Sequence, residues 1–128
     1  MDKILEKIKR FYYTDECKTA QGQKALLIHT LHYFEDGDEL NVYLTEQAGK
    51  IILTDFGFLM GVLINFHCEP EKDEIITVKN IIDGYELQFN NGQYELEVNE
   101  DNVLSRLKWM IKSLATIAVY EGYIHKDQ

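Results

Sequence analysis

The fold is decided most clearly by residues 85–98, which read YELQFNNGQYELEV. Asn91-Gly92 is the pair preferred in a two-residue type I′ hairpin loop. That loop places apolar side chains opposite one another on one face of the hairpin, in the pairs Phe89 with Tyr94, Leu87 with Leu96 and Tyr85 with Val98. The sequence therefore predicts a β-hairpin whose register is set jointly by the turn and by the apolar alternation.

The other face of this hairpin is acidic. In the same register Glu86 lies opposite Glu97, and Gln88 lies opposite Glu95. Like charges that face each other across strands are unfavourable by about 0.2–1 kcal/mol. A solvated face tolerates this repulsion. The functional alternative makes Glu86, Glu95 and Glu97 a contact surface for the Arg and Lys side chains of a basic partner.

Upstream of the hairpin, the pattern predicts one helix followed by a three-stranded meander. Apolar residues recur at helical spacing near the start of the chain, at Ile4, Leu5, Ile8, Phe11 and Tyr12. Three segments rich in Leu, Ile, Val, Tyr and Thr then follow, at residues 24–31, 39–46 and 50–54. The links between them have turn chemistry, so these segments are predicted to be antiparallel strands.

Two central helices are predicted between the meander and the hairpin. Residues 56–64 read FGFLMGVLI, a short apolar helix without a polar face. Residues 69–85 begin with acidic residues and Pro70, as helix N-termini do, and reach a natural stop at Gly84.

A long helix is predicted from about Asn102 to Tyr120, with Asn99 or Asp101 as its N-cap. Its apolar stripe consists of Val103, Leu104, Leu107, Ile111, Leu114 and Ala118. Lys108 and Lys112, four residues apart, fall on the solvated side. Because the strands come in hairpin groups and do not alternate with helices, the fold class is α+β. The antiparallel meander and the second hairpin are expected to pack with all four helices in a single domain, 1–128.

The charge of the chain is strongly uneven. The net charge is −9, but residues 1–24 and 105–128 each carry +2, whereas residues 25–104 carry −13. An acidic middle repels phosphates, which argues against direct nucleic-acid binding and favours docking on a basic protein surface. Without an apolar signal region or membrane-length run, and with only Cys17 and Cys68 as cysteines, we expect a cytoplasmic protein with free thiols.

Residues 52–57 read ILTDFG, and this motif has two interpretations, as part of a kinase active site or as a structural turn. A kinase would need a Gly-rich loop, a strand lysine and a His-Arg-Asp loop upstream, and the sequence has none of them. The structural interpretation is favoured. A strand ends at Thr54, Asp55 caps the helix that follows, and Gly57 permits a tight turn, so that Thr54, Asp55 and Gly57 form a structural motif like Asn91-Gly92.

Catalytic and metal alternatives remain open at this stage. Asp38 and Asp55 near strand ends would suit Mg²⁺ in a nuclease or other hydrolase, but the lysine of such sites is not in place. The possible zinc ligands are scattered, at Cys17, His29, His32, His67, Cys68 and His125. Adjacent His67-Cys68 lacks an orienting third group for nucleophilic catalysis. We therefore predict no cofactor and no metal.

Three segments carry a resemblance to a known family. Residues 30–44, TLHYFEDGDELNVYL, and the block ILTDFG resemble the domain of unknown function 1828 family of bacteria and phages. Residues 81–98 are similar to its second half, where a helix ends in glycine before a short hairpin. The matching positions are Thr30, Asp38, Val42, Tyr43, Leu53, Thr54, Asp55 and Gly57.

The chain departs from that family at three positions. Leu31 stands where proline is usual, Phe34 where aspartate is usual, and Phe56 where a second acidic residue is usual. Each departure removes a polar or rigid feature, and together they argue against chemistry that needs two carboxylates in these loops. The resemblance implies a fold class and a phage or prophage setting, and no reaction. We expect a protein that acts by protein–protein binding, specifically an inhibitor of a host defence protein that binds nucleic acid.

Overall fold

The structure, a computed structural model, describes residues 1–19, 22–33, 37–57, 87–90 and 92–118. Within these ranges the fold is α+β, with two helices and one six-stranded antiparallel sheet. The helices are α1 (Asp2–Phe11) and α2 (Val103–Ala118). The strands are β1 (Thr14–Lys18), β2 (Lys24–Tyr33), β3 (Glu39–Gln47), β4 (Lys50–Thr54), β5 (Gln88–Asn90) and β6 (Gln93–Glu97).

The strand order is β1-β2-β3-β4-β6-β5, so the hairpin joins the meander in one sheet. One detail of the predicted architecture needs correction, because residues 14–18 form an edge strand that the sequence pattern did not predict. The described residues contain two of the four predicted helices, the first and the last. The predicted central helix at 69–85 lies entirely outside the described ranges. The predicted helix at 56–64 also lies outside them, except for its first two residues, Phe56 and Gly57. Phe56 and Gly57 themselves form a turn.

The hairpin register is confirmed within the described residues. Gln88 pairs with Glu95, Phe89 with Tyr94 and Asn90 with Gln93. The rings of Phe89 and Tyr94 lie 4.8 Å apart between centroids, with their planes tilted by 48°. Such tilted aromatic pairs stabilise facing strands beyond their simple burial.

One face of the sheet carries the core. A row of leucines crosses four neighbouring strands, because Leu26 pairs with Leu44, Leu44 with Leu53, and Leu53 with Leu96. Both helices pack on this row, through Ile4 and Ile8 of α1 and through Val103, Leu107, Met110, Ile111, Leu114 and Ile117 of α2. Alternation along each strand then directs the intervening side chains to the opposite side, which we call the second face.

The start of α2 is fixed by three hydrogen bonds between side-chain oxygens and backbone N–H groups. Asn99 Oδ1 accepts the backbone N–H groups of Asp101 and Asn102, and Asn102 Oδ1 accepts the N–H of Asn99. This arrangement satisfies donors that a helix N-terminus leaves unpaired. Of the two predicted N-caps, Asn99 is therefore the one used. Lys108 and Lys112 are exposed, as predicted.

Candidate functional site: the second face and the turn that borders it

The turn Thr54–Gly57 ends β4. At this point a side-chain oxygen replaces a backbone carbonyl as the hydrogen-bond acceptor for the neighbouring strand. Asp55 N–H donates to Tyr94 O at 3.2 Å, continuing the pairing with β6. The return bond, from Tyr94 N–H, goes to Asp55 Oδ1 at 2.9 Å. The Thr54 hydroxyl also donates to Tyr94 O, at 2.8 Å. Both side chains are fully buried. A buried carboxylate needs such donors, because burial of an unpaired charge is costly.

The same carboxylate oxygen shapes the turn. Asp55 Oδ1 accepts Gly57 N–H at 2.9 Å, and the backbone at Phe56 and Gly57 is left-handed, with φ of +49° and +79°. A Cβ placed on Gly57 would lie 3.2 Å from Gly92 O. The two glycine motifs that the sequence singled out are therefore neighbours, and Gly57 is required both for its φ and for this close approach. Asn91 and the helix that Asp55 was predicted to cap lie outside the described residues.

The two aspartates of the catalytic alternative, Asp38 and Asp55, are not brought together. Asp38 is exposed just before β3, whereas Asp55 is buried after β4. Because Tyr43 pairs with Thr54, Asp55 follows beside Val42, and Asp38 lies about 13 Å further along at about 3.3 Å per residue. Among the described residues, no group of three or more His, Cys, Asp and Glu side chains is arranged to hold a metal ion.

The second face has an apolar centre between acidic flanks. One row of paired residues crosses all six strands, in the order Asp15, Leu27, Tyr43, Thr54, Glu95, Gln88. Asp15 and Glu95 are four strand spacings apart, about 19 Å at 4.8 Å per strand. At the centre, the rings of Tyr43 and Phe56 lie 4.9 Å apart between centroids.

A cavity of about 490 Å³ lies over this centre, with Cys17, Leu27, Tyr43 and Phe56 among its lining residues. Burial raises the pKa of the Tyr43 hydroxyl, which keeps it neutral. Cys17 is a free, half-buried thiol that contacts Ala25 O at 3.5 Å. Cys68, His67 and His125 lie outside the described residues.

The predicted partner-binding acids occupy neighbouring positions of the second face on β6. Glu97 is exposed, and its carboxylate lies 3.9 Å from Lys50 Nζ. Glu95 is held by neutral amides instead, accepting Asn90 Nδ2 at 2.7 Å and Gln93 Nε2 at 2.9 Å. Neutral amides leave the charge of Glu95 uncompensated. Glu86 lies outside the described residues.

A second acidic cluster, which sequence reasoning missed, is centred on a histidine. His29 Nε2 lies 2.6 Å from Asp15 Oδ2, and His29 Nδ1 lies 2.8 Å from Glu39 Oε1. The three residues, called here the His29 triad, come from β1, β2 and β3. Both ring nitrogens face carboxylates, so the imidazolium form satisfies both contacts. Hydrogen bonds to Asp15 and then to Glu39 raise the pKa of His29 above its ordinary 6.5.

Glu39 also supports an irregularity in β2. The register between β2 and β3 shifts between His29 and Tyr33, and Leu31 in this bulge has a φ of +63°. Leu31 N–H donates to Glu39 Oε2 at 3.0 Å. The nearby Thr30 hydroxyl donates to Leu40 O at 2.7 Å. The triad is thus joined to the bulge through one carboxylate. The acidic residues at 15 and 39 gave no periodic signal that would have linked them to His29.

These features define a class: an α+β protein that, in the part of the chain the structure describes, packs two helices on one face of an antiparallel sheet and carries acids around an aromatic centre on the other. The chain belongs to the family described as Domain of unknown function DUF1828, whose model matches residues 30–117. Searches of curated proteins and of solved structures found no significant match. Among the described helices, none has the length and apolarity needed to cross a membrane.

Proposed function

We propose that this chain acts by binding a basic protein surface with the second face of its sheet. The observation that carries the proposal is the row from Asp15 to Glu95, in which carboxylates flank the apolar centre formed by Leu27 and Tyr43. Interfaces combine an apolar, aromatic centre with a polar rim, and opposite charges in the rim speed association and select partners.

The acids of this face have different roles in the proposal. Glu97 is exposed and only loosely paired with Lys50, so an arginine or lysine of the partner can replace Lys50. Glu95 is oriented by Asn90 and Gln93 without losing its charge. Glu86 is proposed as a third member of the contact surface, because the hairpin loop predicted at Asn91-Gly92 sets it opposite Glu97 in the sequence.

The specific form of the proposal concerns the partner. We propose a phage or prophage protein in the cytoplasm whose partner is a host defence protein that binds nucleic acid. A binding channel for nucleic acid is basic, and an acidic protein surface is electrostatically complementary to it. Direct binding of nucleic acid by the acidic face is unfavourable for the same reason.

The test compares two charge-matched double variants. Glu95→Gln with Glu97→Gln removes two negative charges from the second face. Glu6→Gln with Glu100→Gln removes the same charge from two exposed positions, one in α1 and one just before α2. The partner is captured from a host lysate, purified, and its dissociation constant measured for each variant at several salt concentrations.

We expect the second-face variant to weaken binding by about tenfold or more and to flatten its salt dependence. The control variant should bind within about twofold of the wild type. Equal affinity and equal salt dependence in both variants would show that the second face is not the binding surface.

A further inference from the structure

We propose that a separate, basic cavity on the helix side of the sheet binds a small organic anion, one with a phosphate or carboxylate head and an apolar body. The cavity has a volume of about 520 Å³ and lies between α2 and residues near the ends of α1 and β2. Its described lining includes Tyr12, His32, Lys108, Ile111, Lys112 and Ala115. Volumes of this size are typical of small-molecule sites.

The charge of this cavity is opposite to that of the whole protein. The chain has a net charge of −9, yet every charged residue among the described lining residues is a lysine. Within the described part of the chain, neither Lys108 nor Lys112 is within ion-pair distance of a carboxylate. Like charges four residues apart on a helix repel each other. An anion held between the two ammonium groups relieves that repulsion.

Donors beyond the lysines are also in place. The hydroxyls of Thr30 and Thr116, which line the cavity, already donate to backbone carbonyls. Within the described residues, the Tyr12 hydroxyl and the His32 ring donate no hydrogen bond to a backbone carbonyl. The Tyr12 O–H and the His32 N–H can therefore donate to a bound ligand. Burial raises the pKa of Tyr12, which keeps this hydroxyl protonated as a donor.

The remaining lining favours an apolar body on the ligand. Ile111 and Ala115 lie one turn apart on the helix stripe beside the core, and the Tyr12 ring packs against the core cluster. An anion that carries a ring or short alkyl chain can place it over these side chains while its head contacts the lysines. Inorganic phosphate lacks that body and should bind more weakly.

The experiment titrates the full chain with phenyl phosphate, benzoate, inorganic phosphate and benzyl alcohol, using amide chemical shifts and calorimetry. We expect saturable binding of phenyl phosphate, benzoate or both, with shifts at residues lining the cavity. The comparison of phenyl phosphate with benzoate identifies the preferred head group. Benzyl alcohol, which has the ring without the charge, should bind at least about tenfold more weakly.

Three variants test the assignment. Lys108→Gln with Lys112→Gln should weaken anion binding by about tenfold or more, while Lys3→Gln with Lys24→Gln removes the same charge at exposed positions elsewhere and should change it less than about twofold. Ala115→Leu keeps the lysines and projects a larger side chain into the cavity, and should weaken binding by about tenfold or more while circular dichroism shows that the helices persist. No saturable binding of either organic anion, equal binding of benzyl alcohol, or equal loss in both lysine pairs would overturn the proposal.

Discussion

Tyr94 on β6 donates its backbone N–H to the side chain of Asp55, a residue 39 positions earlier in the sequence, at 2.9 Å. The carboxylate thus occupies the place that a backbone carbonyl would take if β4 continued. Because the same oxygen also accepts Gly57 N–H, one side chain both ends the strand and shapes the turn beside the hairpin. The stability of this corner should therefore depend on the acceptor oxygen of Asp55.

We expect Asp55→Ala to lower the free energy of unfolding by about 2–4 kcal/mol, because it deprives a buried N–H of this acceptor. Asp55→Asn keeps an oxygen at the Oδ1 position and should cost less than half as much. Urea denaturation measures both, with Glu6→Ala on exposed helix surface as the control. Equal losses for Ala and Asn would show that the charge, and not the acceptor, is required. A Mg²⁺-dependent rise in melting temperature that vanishes in both variants would assign Asp55 to a metal site.

Gly57→Ala and Gly49→Ala form a matched pair. Their φ angles are +79° and +77°, but a Cβ on Gly57 would lie 3.2 Å from Gly92 O, whereas one on Gly49 would meet no atom within 4 Å. Gly49→Ala should cost about 1 kcal/mol for the left-handed backbone alone. Gly57→Ala should cost at least about 1 kcal/mol more, because two backbone segments must separate. Chemical denaturation of both variants checks this, and identical losses would contradict the close contact.

Leu31→Pro should be strongly destabilising, although proline is usual at this position in the family that the sequence resembles. Proline fixes φ near −65°, whereas Leu31 has +63°, and it removes the N–H that Glu39 accepts. We expect a loss of at least about 2 kcal/mol on unfolding. Leu31→Ala should change stability by less than about 1 kcal/mol, since the side chain is mostly exposed. A neutral Leu31→Pro would mean that the bulge can rearrange to the proline geometry.

Leu107→Ala should lower stability by about 2–5 kcal/mol, because Leu107 is fully buried under the sheet. The next residue, Lys108, is exposed, and Lys108→Ala should change stability by less than about 0.5 kcal/mol. Thermal and urea unfolding of the two variants measure the difference. Comparable losses would show that α2 packs in a different helical phase.

The His29 triad predicts a pH dependence with a definite sign. The folded pKa of His29 is raised above the ordinary 6.5, so the folded protein holds the proton more tightly than the unfolded chain. The triad's contribution is therefore fully present below about pH 6.5 and is lost as the pH rises through the raised pKa. His29→Gln should remove that part of the pH dependence. NMR titration of the His29 ring should give a midpoint above 6.5. A midpoint at or below this value would contradict the two carboxylate contacts.

Elements whose signals are local could be predicted from the order of the residues alone. The hairpin register follows from Asn91-Gly92 together with the alternation of apolar and polar residues along both strands. This register is observed in the Phe89–Tyr94 pair. Most of the core stripe of α2 was likewise predictable, although the buried Met110 and Ile117 were not assigned to it. The N-cap was narrowed to Asn99 or Asp101, because capping chemistry acts within a few residues.

The long-range relationships, in contrast, depend on how the strands assemble into the sheet. β1 has acidic and basic residues and no apolar alternation; it becomes a strand because β2 supplies its hydrogen bonds. The contacts of Asp55 with Tyr94 and of His29 with Asp15 and Glu39 likewise join separate strands. The physical reason is that a side chain's polar partners are set by strand order and register across the sheet, which no local pattern of residues records.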